Sequence, residues 1–159
     1  MPDDITTHPI GWVRADRKTP EDDGWDAVAV SVELDSTQFG AEALAGLDQF
    51  SHVEVLFYFH AATDAPTLSA RHPRGRADWP KVGIFAQRGK DRPNHLGATI
   101  CRIEAVRGTT LDVRGLDAID GTPVLDIKPV WSGFLPRGEF REPDWAKELM
   151  REYWCRKER

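Results

Sequence analysis

The sequence predicts a mainly β fold: a single antiparallel or mixed β-barrel with a C-terminal helix and one short peripheral helix. Several short segments alternate apolar and polar residues, glycine, aspartate and asparagine turn signals separate them, and no strand-helix repeat recurs along the chain. The 159 residues, of which 40% are hydrophobic and 30% charged, suit one soluble domain spanning residues 1–159.

Six segments have the pattern of strands. In the first of them Val28, Val30 and Val32 alternate with smaller or polar residues, which is the period of a pleated strand. In the last, the period of two places Leu125 and Ile127 on one face and Asp126 and Lys128 on the other. The predicted strands are 27–34, 52–59, 82–86, 97–106, 110–116 and 122–130.

Two segments favour helix. Residues 35–50 leave room for a short peripheral helix, and Pro143 opens a longer one over about 143–157. In the longer segment Trp145, Leu149 and Tyr153 follow one another at intervals of four and form an apolar stripe. The stripe either packs on the core or docks on a second subunit.

Several common site signatures are missing from the sequence. It contains no GxGxxG, GxxxxGK[ST], HExxH or GxSxG string, which argues against dinucleotide, P-loop, zinc-protease and serine-hydrolase chemistry. Cys101 and Cys155 form no CxxC pair, so we expect free thiols and no metal. With neither a signal-peptide pattern nor an apolar run of about 20 residues, the expected location is the cytoplasm.

Positive charge is concentrated in one region of an acidic chain. The formal net charge is −5, yet residues 71–95 carry seven Lys or Arg against two Asp, a local balance of +5. Such a patch suits a bounded anionic ligand, such as an RNA loop or a phosphorylated small molecule, although it also fits a solvated basic surface.

Two loops remain as candidates for chemistry. AQRGKDRPNHLG (86–97) supplies donors, with Arg88 or Arg92 able to grip a carboxylate or phosphate and Asn94 able to contact an amide or a base edge. GLDAIDGTPVLDIKP (115–129) supplies carboxylates, which either complement those donors or form a simple salt bridge between turn and strand.

Three strings together identify a resemblance. FSHVEVLFYFH (50–60), VGIFAQRGKDRPNHLG (82–97) and GLDAIDGTPVLDIKP (115–129) strongly resemble the TsaA-like (TrmO) family over about residues 8–130. The resemblance implies an S-adenosylmethionine-dependent β-barrel methyltransferase, a homodimer with cofactor sites near the subunit interface. Family members methylate N6 of threonylcarbamoyladenosine at position 37 of tRNA.

Motif by motif, the resemblance also implies a set of cofactor residues. Arg88 suits the carboxylate of the methionine moiety or that of the modified base, and Asp117 suits ribose hydroxyls or the methionine amino group. Taken alone, His60 is also compatible with a structural histidine. The implied cofactor residues are His60, Ala61, Arg88, Pro93, Asn94, Ala98, Leu116 and Asp117.

Substrate and proton transfer are assigned to other residues. Lys90 and Arg92 are the candidates for an anionic substrate, and Asp126, oriented by Lys128, is the candidate acceptor of the proton released by the nucleophile. The sequence leaves the family pattern at residues 19–28, where TPEDDGWDAV replaces a PRQ segment, and at Gly89-Lys90. A small-molecule methyltransferase and a non-catalytic barrel that binds RNA or a nucleotide therefore stay open beside a tRNA methyltransferase.

Overall fold

A computed structural model describes residues 4–155 of the chain and shows a closed six-stranded antiparallel barrel in the order β1-β2-β7-β6-β3-β8. A separate two-stranded sheet pairs β4 with β5. The strands are β1 (Gly11–Ala15), β2 (Val30–Leu34), β3 (His52–Tyr58), β4 (Ala70–Arg71), β5 (Val82–Gly83), β6 (Leu96–Arg107), β7 (Thr110–Arg114) and β8 (Pro123–Pro129).

The barrel interior is filled by alternate residues of its strands. Val13, Val32, Val55, Leu111 and Val113 are all fully buried, as expected where one face of a pleated strand turns inward. This apolar interior confirms the predicted β-barrel.

The interface between β3 and β8 departs from simple alternation. A register shift pairs Leu56 with Asp126 but Phe57 with Val124, so that Leu125 is the extra residue of a β-bulge. Val124 and Ile127 therefore lie opposite the core residues Phe57 and Val55, and the prediction that Leu125 shares a face with Ile127 was wrong.

Several elements differ from the predicted boundaries, and β4 (Ala70–Arg71) was not among the predicted strands. β1 was not predicted at all, and the predicted strand over 82–86 contains only the two residues of β5 before a 3₁₀ turn at Ile84–Ala86. The predicted short helix over 35–50 is present as two 3₁₀ turns, Ala41–Leu44 and Leu47–Gln49.

The C-terminal helix is shorter than the predicted range of 143–157. Helix α1 covers Asp144–Leu149 and continues as a 3₁₀ turn over Met150–Glu152, while positions 156 and 157 lie outside the described residues. Tyr153 and Trp154 pack against the core, so the end of the apolar stripe lies on the barrel. No helix in the described part of the chain is long and apolar enough to span a bilayer.

Candidate functional site

The end of β3, the start of β6 and the chain that follows β7 meet at one end of the barrel. Because β6 runs antiparallel to β3, the last residue of β3, Tyr58, pairs with Leu96 at the start of β6. β7 ends beside the middle of β6, where Arg114 pairs with Arg102, and the chain that follows β7 brings Asp117 to Thr99. The Phe59 amide, one residue beyond β3, donates to the His95 carbonyl at 2.9 Å. The predicted residues 60, 61, 93, 94, 98, 116 and 117 all lie on these ends or on the loops that join them.

Arg88 is attached to the start of β6. Its Nη2 donates to the backbone carbonyl of Ala98, and the side chain is otherwise exposed. Since a guanidinium has five N–H donors, the contact positions the fork and leaves donors for a ligand. Arg88 and Ala98, both predicted as cofactor residues, are therefore brought together.

Asp117 is the acidic counterpart of this arginine. Leu116, fully buried, anchors its backbone after β7. The Thr99 hydroxyl donates to Asp117 Oδ1 and the Tyr153 hydroxyl donates to Oδ2. Asp117 is half-buried, so the barrel end presents a partly shielded carboxylate close to the strand that holds Arg88.

The Pro93-Asn94 turn has an unusual backbone. Asn94 (φ 64°) and His95 (φ 48°) both adopt left-handed conformations, which asparagine tolerates better than most side chains. His95 Nδ1 lies 3.1 Å from the Lys90 carbonyl, a hydrogen bond that connects the turn to the first half of the basic loop, residues 86–97. The turn leads directly into β6 and so fixes the position of Ala98.

The basic loop is partly neutralised from within. Asp91 accepts from Lys90 Nζ at 2.7 Å and from Arg71 Nη1 at 3.0 Å. Burial tends to raise the pKa of Asp91, but hydrogen bonds from Lys90 and Arg71 outweigh it and hold the pKa below its ordinary value of 3.8. Arg92 donates to the Gln87 carbonyl at 2.8 Å. Because a carbonyl carries no net charge, this contact does not neutralise the positive charge of Arg92.

Asp126 and Lys128 lie elsewhere on the barrel. They share the outer face of β8 as predicted and form an ion pair at 2.5 Å, while Asp126 Oδ1 also accepts from the Ile127 amide at 2.9 Å. Asp126 pairs with Leu56, which pairs with Ala98 on its other side. Two inter-strand spacings put Asp126 about 10 Å from Ala98, and its role as proton acceptor stays a prediction.

Acidic residues near the two loops have structural partners. Asp120 accepts from the amide of Ala15, the last residue of β1, at 3.0 Å, and forms a salt bridge at 2.7 Å with Lys18 in the loop after β1. Asp23, in the segment that replaces the family's PRQ, pairs with Arg74 at 2.9 Å.

A groove of about 460 Å³ lies where β8 separates from β1. It contains Asp126 but none of the predicted cofactor residues, and its other walls come from Ile10, Leu34 and residues 39–50. The groove therefore belongs to the opposite part of the barrel from Arg88 and Asp117. Among residues 4–155, no three His, Cys, Asp or Glu side chains are grouped so as to hold a metal ion.

Sequence reasoning missed three residues of this site. Thr99 is buried between Gly97 and Cys101, so a polar residue in an inward-facing row was an available signal. The sequence pattern placed Tyr153 in the apolar stripe of the C-terminal helix. It gave Arg74 no role beyond its contribution to the positive charge of residues 71–95. The contact of Arg74 with the Tyr153 ring joins segments too distant in sequence to be foreseen.

Residues 13–134 match the family model of the tRNA-methyltransferase O N-terminal domain. The chain belongs to the TrmO family. One relative is a probable S-adenosyl-L-methionine-binding protein of Methanothermobacter thermautotrophicus. It is 38% identical to this chain over 131 residues, which are 80% of this chain and 91% of that protein.

The TrmO family assignment is also supported by a mammalian enzyme and a solved structure. The mouse tRNA (adenine(37)-N6)-methyltransferase is 44% identical over 87 residues, 55% of this chain and 20% of that protein. A crystal structure of TrmO from Pseudomonas aeruginosa superposes with a TM-score of 0.71 and 32% identity, covering 90% of this chain and 62% of that one. The chain spans only 20 to 38% of the length of the first curated relatives it matches.

Proposed function

We propose that this protein is an S-adenosylmethionine-dependent methyltransferase, with N6 of a threonylcarbamoyladenosine-type adenosine at tRNA position 37 as the favoured acceptor. The observation that carries the proposal is that Arg88 and Asp117 are bonded to consecutive residues of β6, Ala98 and Thr99, in a TrmO-family barrel. A cation and a carboxylate on adjoining strand ends complement a ligand that has both a carboxylate and an ammonium or hydroxyl groups.

The donor set fits the proposed cofactor. Arg88 would grip the methionine carboxylate, and Asp117 would accept from the amino group or the ribose hydroxyls. The other proposed contacts come from the backbone and side chains of the same barrel end: His60, Ala61, Pro93, Asn94, Ala98 and Leu116. The cofactor supplies an already activated methyl group, so these residues mainly bind, orient and exclude water.

The substrate side of the proposal rests on Lys90 and Arg92. Arg92 retains its charge beside the cofactor residues and suits a phosphate of an RNA loop. Lys90 is held by Asp91 and contributes less to the local field. The name of the mouse relative, a tRNA (adenine(37)-N6)-methyltransferase, supports tRNA as the substrate.

A small-molecule acceptor is the second candidate. The chain's net charge is −5, and Asp91 neutralises part of the loop that would contact RNA. A compact anionic substrate would need fewer positive contacts than a tRNA. A non-catalytic nucleotide- or RNA-binding barrel would use the same loop without methyl transfer.

We also propose a homodimer, because the outer face of β3 and β6 carries a group of apolar residues. Leu96 is 46% and Ile100 49% exposed, and cross-strand pairing places Tyr58 beside Leu96 and Leu56 beside Ala98. This outer face, defined by these five residues, adjoins the cofactor end through Ala98. A second copy covering it would bring the two cofactor sites near the interface.

Calorimetry with S-adenosylmethionine tests the cofactor. Arg88→Gln should weaken binding by about 10-fold to 100-fold, the loss expected for a hydrogen bond between charged groups. Arg14→Gln is the matched control, since Arg14 forms an exposed ion pair with Glu33 between β1 and β2. The absence of binding to the wild-type chain at millimolar cofactor would rule out both methyltransferase functions.

Mass spectrometry of tRNA separates the two substrate classes. Cells lacking the gene should lose the methyl group from modified adenosine 37, and purified protein with S-adenosylmethionine should restore it to their tRNA. An unchanged modified-adenosine profile, together with cofactor binding, would favour the small-molecule acceptor.

A further inference from the structure

The C-terminal segment, residues 143–155, docks onto the barrel end that carries Asp117. The Gly24 and Trp25 amides donate to the Tyr153 carbonyl at 2.8 and 3.1 Å, and the Asp26 amide donates to the Trp154 carbonyl at 3.0 Å. Earlier in the segment, Glu148 of α1 accepts from Trp79 Nε1 at 3.0 Å. These bonds fix the segment at its middle and at its C-terminal end.

The Tyr153 ring is held on two sides. Trp154 meets it edge to face with centroids 4.9 Å apart, and the Arg74 guanidinium lies 5.9 Å from its centroid. Arg74 in turn pairs with Asp23 at 2.9 Å, in the segment that departs from the family's PRQ pattern. The phenol has little freedom to leave its position over the Asp117 carboxylate.

Burial raises the pKa of Tyr153 above its ordinary value of 10.0, and the neighbouring negative charge of Asp117 raises it further. The hydroxyl therefore stays protonated and remains a donor to Asp117 Oδ2, while Thr99 donates to Oδ1. Each carboxylate oxygen has two lone pairs, so one on each oxygen is left for a ligand donor. Two fixed donors determine the orientation of the carboxylate.

We propose that Tyr153 is a positioning residue for the cofactor, holding the Asp117 carboxylate so that its remaining lone pairs accept from a hydroxyl or ammonium group of S-adenosylmethionine. The inference rests on the proposed function and adds the C-terminal segment to the cofactor site. Without such donors, a carboxylate at the end of the barrel would be held loosely and would not keep one orientation toward the cofactor.

Tyr153→Phe tests the proposal by removing only the hydroxyl. The ring retains its contacts with Trp154 and Arg74, and S-adenosylmethionine should bind about tenfold more weakly. The KM for the cofactor should rise while kcat at saturating cofactor stays within about twofold. Ser31→Ala, which removes a hydroxyl-to-aspartate bond of 2.7 Å between β2 and β7, should leave the affinity unchanged.

A double-mutant cycle separates positioning from general destabilisation. In an Asp117→Ala background, Tyr153→Phe should cause no further loss of affinity, because its effect passes through Asp117. Equal or tighter binding by Tyr153→Phe, or full additivity with Asp117→Ala, would overturn this inference alone. A wild-type chain that binds no S-adenosylmethionine would overturn the proposed function as well.

Discussion

Asp126 has one partner within β8 on each of its carboxylate oxygens. One oxygen accepts from the amide of the next residue, Ile127, and the other pairs with Lys128. The position lies two strands from Ala98, roughly 10 Å away on the same outward row of side chains. These contacts make a structural role at the bulge of β8 the simpler interpretation.

Asp126→Asn should therefore keep single-turnover methyl transfer within about twofold of wild type. The asparagine still accepts from the Ile127 amide, and catalysis by positioning needs no base on β8. The measurement is transfer of labelled methyl from saturating S-adenosylmethionine to tRNA. A fall of about 100-fold or more, with cofactor affinity unchanged, would restore Asp126 as the proton acceptor.

Asp91 stabilises the basic loop to an extent that depends on pH. Its folded pKa lies below 3.8, so its stabilising contribution is present above that ordinary value and is lost as the pH falls through the folded pKa. Asp91→Asn should reduce the free energy of unfolding by about 1 to 2 kcal/mol at pH 7. The difference from wild type should shrink below pH 3.8.

Urea denaturation at a series of pH values between 2.5 and 7 measures this difference. Asp144→Asn is the control, because the Asp144 side chain is fully exposed and its pairing with Lys147 is long, at 3.4 Å. A difference between wild type and Asp91→Asn that stayed constant through pH 3.8 would contradict ion pairing as the source of the stability.

At the scale of elements, alternation predicted the long strands well and the short or irregular ones poorly. β3, β6 and β8 each have at least seven residues and carry a clear period of two. The buried residues of β1 are Gly11, Val13 and Ala15, of which only Val13 is strongly apolar, and the VGIFA run lacks alternation, so neither pattern distinguishes strand from turn. Helix α1 ends early where the following backbone carbonyls bond residues 24–26, contacts that local sequence does not encode.

The same reasoning explains which parts of the site were predictable. Arg88, Ala98 and Asp117 lie in strings that resemble a family, and the structure brings them to one barrel end. Thr99 and Tyr153 join Asp117 through side chains from β6 and from the C-terminal segment, 18 and 36 residues away in sequence. Such contacts follow from tertiary packing and from no local motif.

Gly97→Ala should destabilise the β3–β6 pair that supports the site. A Cβ at Gly97 would lie 2.4 Å from the ring of Phe57, a side chain only 1% exposed that has no room to retreat. Overpacking of this kind costs about 1 to 3 kcal/mol, which should lower the Tm by several degrees. The measurement is thermal unfolding followed by circular dichroism.

Gly83→Ala is the matched control for this substitution. A Cβ there meets no atom within 4 Å, and Gly83 does not require the left-handed conformation, so its Tm should stay within about one degree of wild type. If both variants unfolded at the wild-type temperature, the close approach of β6 to Phe57 would not limit stability.

At the scale of the whole molecule, the distribution of apolar surface is uneven. Inward-facing Gly97, Thr99 and Cys101 of β6 are buried, while Leu96 and Ile100 on its other face are about half exposed. Tyr58 extends the apolar area onto β3. Apolar residues grouped on one side of a barrel, next to its proposed cofactor end, are the expected signature of a subunit interface.

Ile100→Glu should weaken the proposed homodimer by at least about 100-fold, because a charge would be buried within the proposed interface. Sedimentation velocity over a range of protein concentrations measures the dissociation constant. Ile5→Glu is the control, since Ile5 is 89% exposed and belongs to no strand. A wild-type chain that sediments as a monomer at every concentration would contradict the interface, and unchanged cofactor affinity in monomeric Ile100→Glu would show that each subunit builds its cofactor site alone.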